Sequence, residues 1–73
     1  MPVVQLDYLT KTGIPLSFSI VKSGEASRPP ALEKHRGLNI VHWVMGGYGF
    51  MLVSRIPEAQ LRVIAKGMQR RFF

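Results

Sequence analysis

Apolar and polar positions alternate along three stretches of the chain, and the way they pair predicts most of the fold. Val4, Leu6 and Tyr8 alternate with Gln5 and Asp7, the period-2 signature of a half-buried strand. Thr10-Lys11-Thr12-Gly13 interrupts this as a turn, with Gly13 free to take positive φ. Leu16, Phe18 and Ile20 then resume the alternation against Ser17 and Ser19, giving a first hairpin with one apolar and one polar face. Residues 38–54 read differently. With Gly46 and Gly47 as the two central residues of a type I′ turn, Met45 faces Tyr48, Trp43 faces Phe50 and Val41 faces Leu52 on one side of a second hairpin. The opposite side carries Ile40 with Val53, His42 with Met51, and Val44 with Gly49. Both sides are mostly apolar, which implies burial on both.

A helix is expected over residues 57–70. Pro57 suits the first helical position, where its missing N–H costs nothing, and Glu58 places a negative charge at the positive end of the helix dipole. Leu61, Ile64, Ala65 and Met68 then form a single apolar stripe, while Gln60, Arg62, Lys66, Gln69 and Arg70 point away. Phe72 and Phe73 are expected to cap the edge of the core. Residues 22–37, with Ser, Gly and the Pro29-Pro30 pair, show no period and predict a long, partly extended loop; Ala31-Leu32-Glu33-Lys34 has room for at most one helical turn. The expected architecture is therefore α+β: one domain over residues 1–73, with a small antiparallel sheet of about four strands in two hairpins. The C-terminal amphipathic helix lies on one face. One stripe covers one sheet face, so Ile40, Val44, Met51 and Val53 become the candidate interaction surface.

Length reinforces that expectation, because a 73-residue domain has a thin core and oligomerisation is a common remedy. A two-fold dimer or another protein is the expected partner. Cysteine is absent, so no disulfide or thiolate metal site staples the fold. No apolar run approaches the roughly 18 residues of a membrane span, and the start lacks the basic-then-apolar layout of a signal peptide, so a soluble chain is expected. Met1-Pro2 ahead of the strand-like Val3-Val4 reads as the cut edge of a longer sequence.

Net charge is +6. That raises nucleic acid as a partner, but only Arg62, Lys66, Arg70 and Arg71 line up, on the helix, as a solvated face does. A basic nucleic-acid-binding module is the alternative reading, with Trp43, Tyr48 and Phe50 stacking bases. The position of those aromatics decides between the two. Catalytic chemistry finds no support: the two histidines, His35 and His42, and the four acids show no nucleophile, base and orienter pattern, and two histidines make no metal site. Gly46-Gly47-Tyr48-Gly49 sits inside a hairpin rather than before a helix, so it does not read as a phosphate cradle. No enzyme activity, cofactor or metal is expected.

The run Gly37-Leu38-Asn39-Ile40-Val41-His42-Trp43, followed by Gly46-Gly47-Tyr48-Gly49-Phe50-Met51-Leu52-Val53, Ile56-Pro57-Glu58-Ala59-Gln60-Leu61 and Ile64-Ala65, resembles the C-terminal segment of bacterial transmembrane anti-sigma factors. The upstream Val4-Gln5-Leu6-Asp7-Tyr8, Gly13 and Leu16-Ser17-Phe18 extend the likeness over nearly the whole chain. In that family a zinc-binding module in the cytoplasm holds the sigma factor, one helix crosses the membrane, and this portion lies in the periplasm. The zinc ligands and membrane helix have no counterpart in this sequence, so sigma-factor binding does not transfer to its residues. The resemblance implies a periplasmic interaction or sensory domain of a transcriptional regulator, tied to the membrane only through a segment outside this chain.

Overall fold

The computed structural model describes residues 4–72, with side chains to residue 70. The expected contributions of Val3, Phe72 and Phe73 therefore lie outside the described residues or side chains. The fold is a small α+β domain: a five-stranded antiparallel sheet followed by one helix. The strands are β1 (Val4–Leu9), β2 (Pro15–Lys22), β3 (Arg28–His35), β4 (Leu38–Met45) and β5 (Tyr48–Ser54), and the helix is α1 (Glu58–Phe72). Their order across the sheet is β1-β2-β5-β4-β3.

The second hairpin has the register that its glycines dictate. Gly46 and Gly47 take φ of 60° and 84°, as a type I′ turn needs. Met45 pairs with Tyr48, Trp43 with Phe50, Val41 with Leu52, and Ile40 with Val53. The first hairpin docks on it through β2, with Phe18 opposite Leu52 and Ile20 opposite Phe50. One sheet face thus gathers Leu16, Phe18, Ile20, Phe50, Leu52, Val41 and Trp43 into a continuous layer, closed by Ile56, Leu61 and Ala65 from the helix side. Trp43 stacks on Phe50 with ring centroids 5.2 Å apart and planes 7° apart, and Phe50 stacks in turn on Phe18 at 6.3 Å. Such pairs add about 0.5 to 1.5 kcal/mol to their area burial.

The sheet has five strands rather than about four because the expected loop over residues 22–37 contains a strand, leaving only residues 23–27 and the turn at 36–37 irregular. Arg28–His35 forms β3 along the outer edge of β4, with Leu32 opposite Val41 and Glu33 opposite Ile40. Ala31-Leu32-Glu33-Lys34 is accordingly strand, not a helical turn. Two prolines are tolerated because an edge strand has one row of backbone groups facing solvent, and the register shifts between Arg28 and Ala31 around them. The connecting turn is Arg36-Gly37, with φ of 50° and 80°, a second turn of the same hand as Gly46-Gly47. Between β2 and β3 the chain crosses the end of the sheet past the Gly46-Gly47 turn, where Ser23 N–H donates to the Gly47 carbonyl at 2.9 Å. Three strand spacings, about 14 Å, fit the reach of a handful of extended residues.

Two polar side chains fix how the helix leaves the sheet. The Ser54 hydroxyl donates to the Pro15 carbonyl at 2.8 Å and accepts from Ile56 N–H at 3.3 Å. Asn39 Nδ2 donates to the Ile56 carbonyl at 2.8 Å. Both backbone groups of buried Ile56 are thereby satisfied at the point where the chain turns from β5 into α1. Leu61 and Ala65 are buried, with Ile64 and Met68 packed partly against the same layer, so the expected stripe is the packing face. The helix runs two residues beyond the expected end, to Phe72.

Candidate functional site

The face opposite α1 is open, and strand pairing divides it into three lanes. Along β1 and β2 it is polar: Gln5 Nε2 donates to Ser17 Oγ at 2.7 Å, Ser17 Oγ to Asp7 Oδ1 at 3.0 Å, and Ser19 Oγ to Gln5 Oε1 at 2.7 Å. These groups occupy one another and face water. Along the centre the face is apolar: Val53 pairs directly with Ile40, Met51 follows two residues away on the same side, and Val21 continues the lane toward the Gly49 end. Met51 is 43% exposed and Val21 38%, while Ile40 and Val53 are half-buried.

The third lane is charged. Arg28 Nη1 lies 2.7 Å from His42 Nδ1, and since a guanidinium only donates, Nδ1 is the unprotonated nitrogen and the imidazole proton sits on Nε2. Nε2 faces Glu33 Oε1 at 3.5 Å without forming a hydrogen bond, and this buried N–H has no hydrogen-bond partner among the described residues. Glu25 approaches Arg28 Nε at 3.6 Å from the β2–β3 connection. The chain Glu25, Arg28, His42, Glu33 straps that connection and β3 onto β4.

Of the four residues expected to form the interaction surface, Ile40, Met51 and Val53 lie together on this open face. Val44 does not belong with them. It pairs with Arg28 at the start of β3, the β2–β3 connection crosses beside it, and it is only 2% exposed. Its cover is the strand that residues 28–35 form, which their prolines and exposed pattern disguise in the sequence. Val21 takes Val44's place at that end of the lane.

A second apolar surface lies on the helix side. α1 packs over β4 and β5, leaving the β1 half of that face bare: Leu6 is 40% exposed and Tyr8 45%. Between β1 and the helix runs a groove of about 480 Å³ lined by Tyr8, Leu16, Ile56, Gln60, Ile64 and Met68, with the β1–β2 turn at one end. Sequence reasoning anticipated uncovered apolar area but assigned it to the opposite face. The missed signal is the width of the sheet, since one stripe of four residues does not reach across five strands. Trp43 and Phe50 are 1% and 4% exposed beneath α1, whereas Tyr48 is 38% exposed at the hairpin end. Arg62, Lys66 and Arg70 lie on the exposed side of the helix, with Arg62 bonded to Glu58 at 3.2 Å. Among the described residues no cluster of three or more His, Cys, Asp or Glu is placed to hold a metal ion, and no helix is long and apolar enough to cross a membrane. Comparison with protein-family models, with curated proteins and with solved structures finds no match to the chain.

Proposed function

We propose that the chain is a non-catalytic protein-interaction or sensory domain, the extracytoplasmic part of an anti-sigma-factor-like transmembrane transcriptional regulator. The observation that carries the interaction role is the apolar lane on the face that the helix leaves open, where exposed Met51 and Val21 flank half-buried Ile40 and Val53. A partner that covers it replaces water over aliphatic and thioether groups, and methionine adapts its shape to the surface it meets. The polar lane on one side and the Arg28–His42–Glu33 lane on the other form the rim that keeps the isolated domain in solution.

The regulator's identity rests on the resemblance of Gly37–Val53 and Ile56–Ala65, whose residues serve here as turns, core and the Asn39 clasp. Periplasmic placement and attachment to the membrane through a segment outside this chain follow from the same resemblance. The partner is a protein, either a second copy in a two-fold dimer or another component of the signalling path. A nucleic-acid role needs aromatic platforms beside the cations, and the burial of Trp43 and Phe50 removes two of its three stacking groups.

Location gives the test. Alkaline phosphatase, active only outside the cytoplasm, fused behind Phe73 in the intact gene product is expected to be active. An inactive fusion, with a cytoplasmic reporter active at the same junction, contradicts the proposal.

A further inference from the structure

We infer that β1 is a self-pairing edge: two copies of the chain join β1 to β1 antiparallel about a two-fold axis centred on Leu6, forming one ten-stranded sheet. This goes beyond the interaction role proposed above: the β1 edge is a surface separate from the apolar lane, which stays free for another component.

The two edges of the sheet are unlike. β3 carries Pro29-Pro30, a register shift, and Arg28 and Lys34 along its length, which are the devices that block edge-to-edge association. β1, Val-Gln-Leu-Asp-Tyr-Leu, has no proline, lysine or bulge, and its pairing with β2 is unbroken from Val4 to Leu9. Its exposed apolar groups, Leu6, Tyr8 and Leu9, sit along the open edge.

The direction of its free backbone groups follows from the first turn. Thr10 N–H donates to the Ile14 carbonyl at 3.0 Å, so this pair is a hydrogen-bonded one. By alternation the pairs Tyr8–Leu16, Leu6–Phe18 and Val4–Ile20 are also bonded inward, and Gln5, Asp7 and Leu9 present N–H and C=O to the edge. Pro15, which has no N–H, accordingly stands opposite Leu9 in a pair that needs none.

A two-fold axis perpendicular to the sheet keeps the faces, so a residue pairs with one of its own parity. Centring on Asp7 would set two carboxylates directly opposite, which is destabilising. Centring on Leu6 pairs Gln5 with Asp7 of the second copy and the reverse, each through two backbone hydrogen bonds, with amide facing carboxylate. On the helix side Leu6 then meets Leu6, and Val4 meets Tyr8, closing the bare flank of both grooves beside α1. A strand of six residues is about 20 Å long. An edge contact of that length falls below about 1,200 Å² of buried surface and belongs with the weak interfaces.

Sedimentation of the chain and three variants from 1 to 300 µM tests this. The parent is expected to dimerise across that range. Asp7→Pro removes an outward N–H without touching the β1–β2 ladder, and is expected to remain monomeric with its thermal transition retained. Gln5→Lys places two Lys–Asp pairs across the axis and is expected to tighten the dimer roughly threefold to tenfold at low salt, a gain abolished by high salt. Met51→Glu, on the open face, is expected to dimerise like the parent. A parent that stays monomeric throughout overturns the edge pairing while leaving the regulator role to the location test. A dimer dissolved by Met51→Glu but indifferent to Asp7→Pro and Gln5→Lys overturns it in favour of face-to-face packing. If Asp7→Pro fails to fold, Gln5→Lys alone decides: no salt-dependent tightening overturns the Leu6-centred register.

Discussion

At the scale of single residues, the domain hangs on one aromatic layer and one polar clasp. Trp43 is 1% exposed and stacked on Phe50, so Trp43→Ala is expected to cost about 3 to 5 kcal/mol in chemical denaturation. A variant that melts with the parent would place the indole on the surface and restore a base-stacking role. Ser54 and Asn39 hold the two backbone groups of Ile56. Ser54→Ala leaves a buried N–H and the Pro15 carbonyl without their partner, and is expected to cost about 1 to 3 kcal/mol by the same measurement. The aromatic layer was legible in the sequence because a two-glycine turn fixes which residues face each other. The clasp was not, because a serine and an asparagine whose partners lie 39 and 17 positions away leave no local pattern.

At the scale of elements, the strands that follow alternation were readable and the one that lacks it was not. β3 is exposed at every position except half-buried Leu32, and two prolines follow its first residue, Arg28. Its physical cause is β4, whose outer edge needs a partner, and its one local signal is Gly37 just before an apolar run, where Arg36-Gly37 closes a two-residue loop. The helix was readable from its stripe, and its weakest point is also visible. Gly67 is exposed within α1, and a methyl group added there meets nothing within 4 Å. Gly67→Ala is expected to stabilise by about 0.4 to 1 kcal/mol. In a domain of this size 1 kcal/mol raises the melting temperature by roughly 4 to 8 °C, which calorimetry resolves. A lower melting temperature would mean that the last turns of α1 do not form as described.

At the scale of the molecule, the decisive fact is a mismatch of widths: one helical stripe against five strands with apolar groups on both sides. The sequence showed that two faces were apolar, and the structure divides the surplus between a groove beside β1 and a narrow lane on the open face. Val44 left that lane because β3 and its approach cover it, a long-range consequence that strand pairing within the hairpin did not contain. The lane that remains is the part of the surface on which the proposed regulatory role depends. The most direct measurement is therefore the output of the promoter under the regulator's control, read in cells carrying the gene with Met51→Glu and Val53→Glu, beside the thermal stability of the same double variant. The account predicts altered output with a transition close to the parent's; unchanged output from a domain that still folds would contradict it.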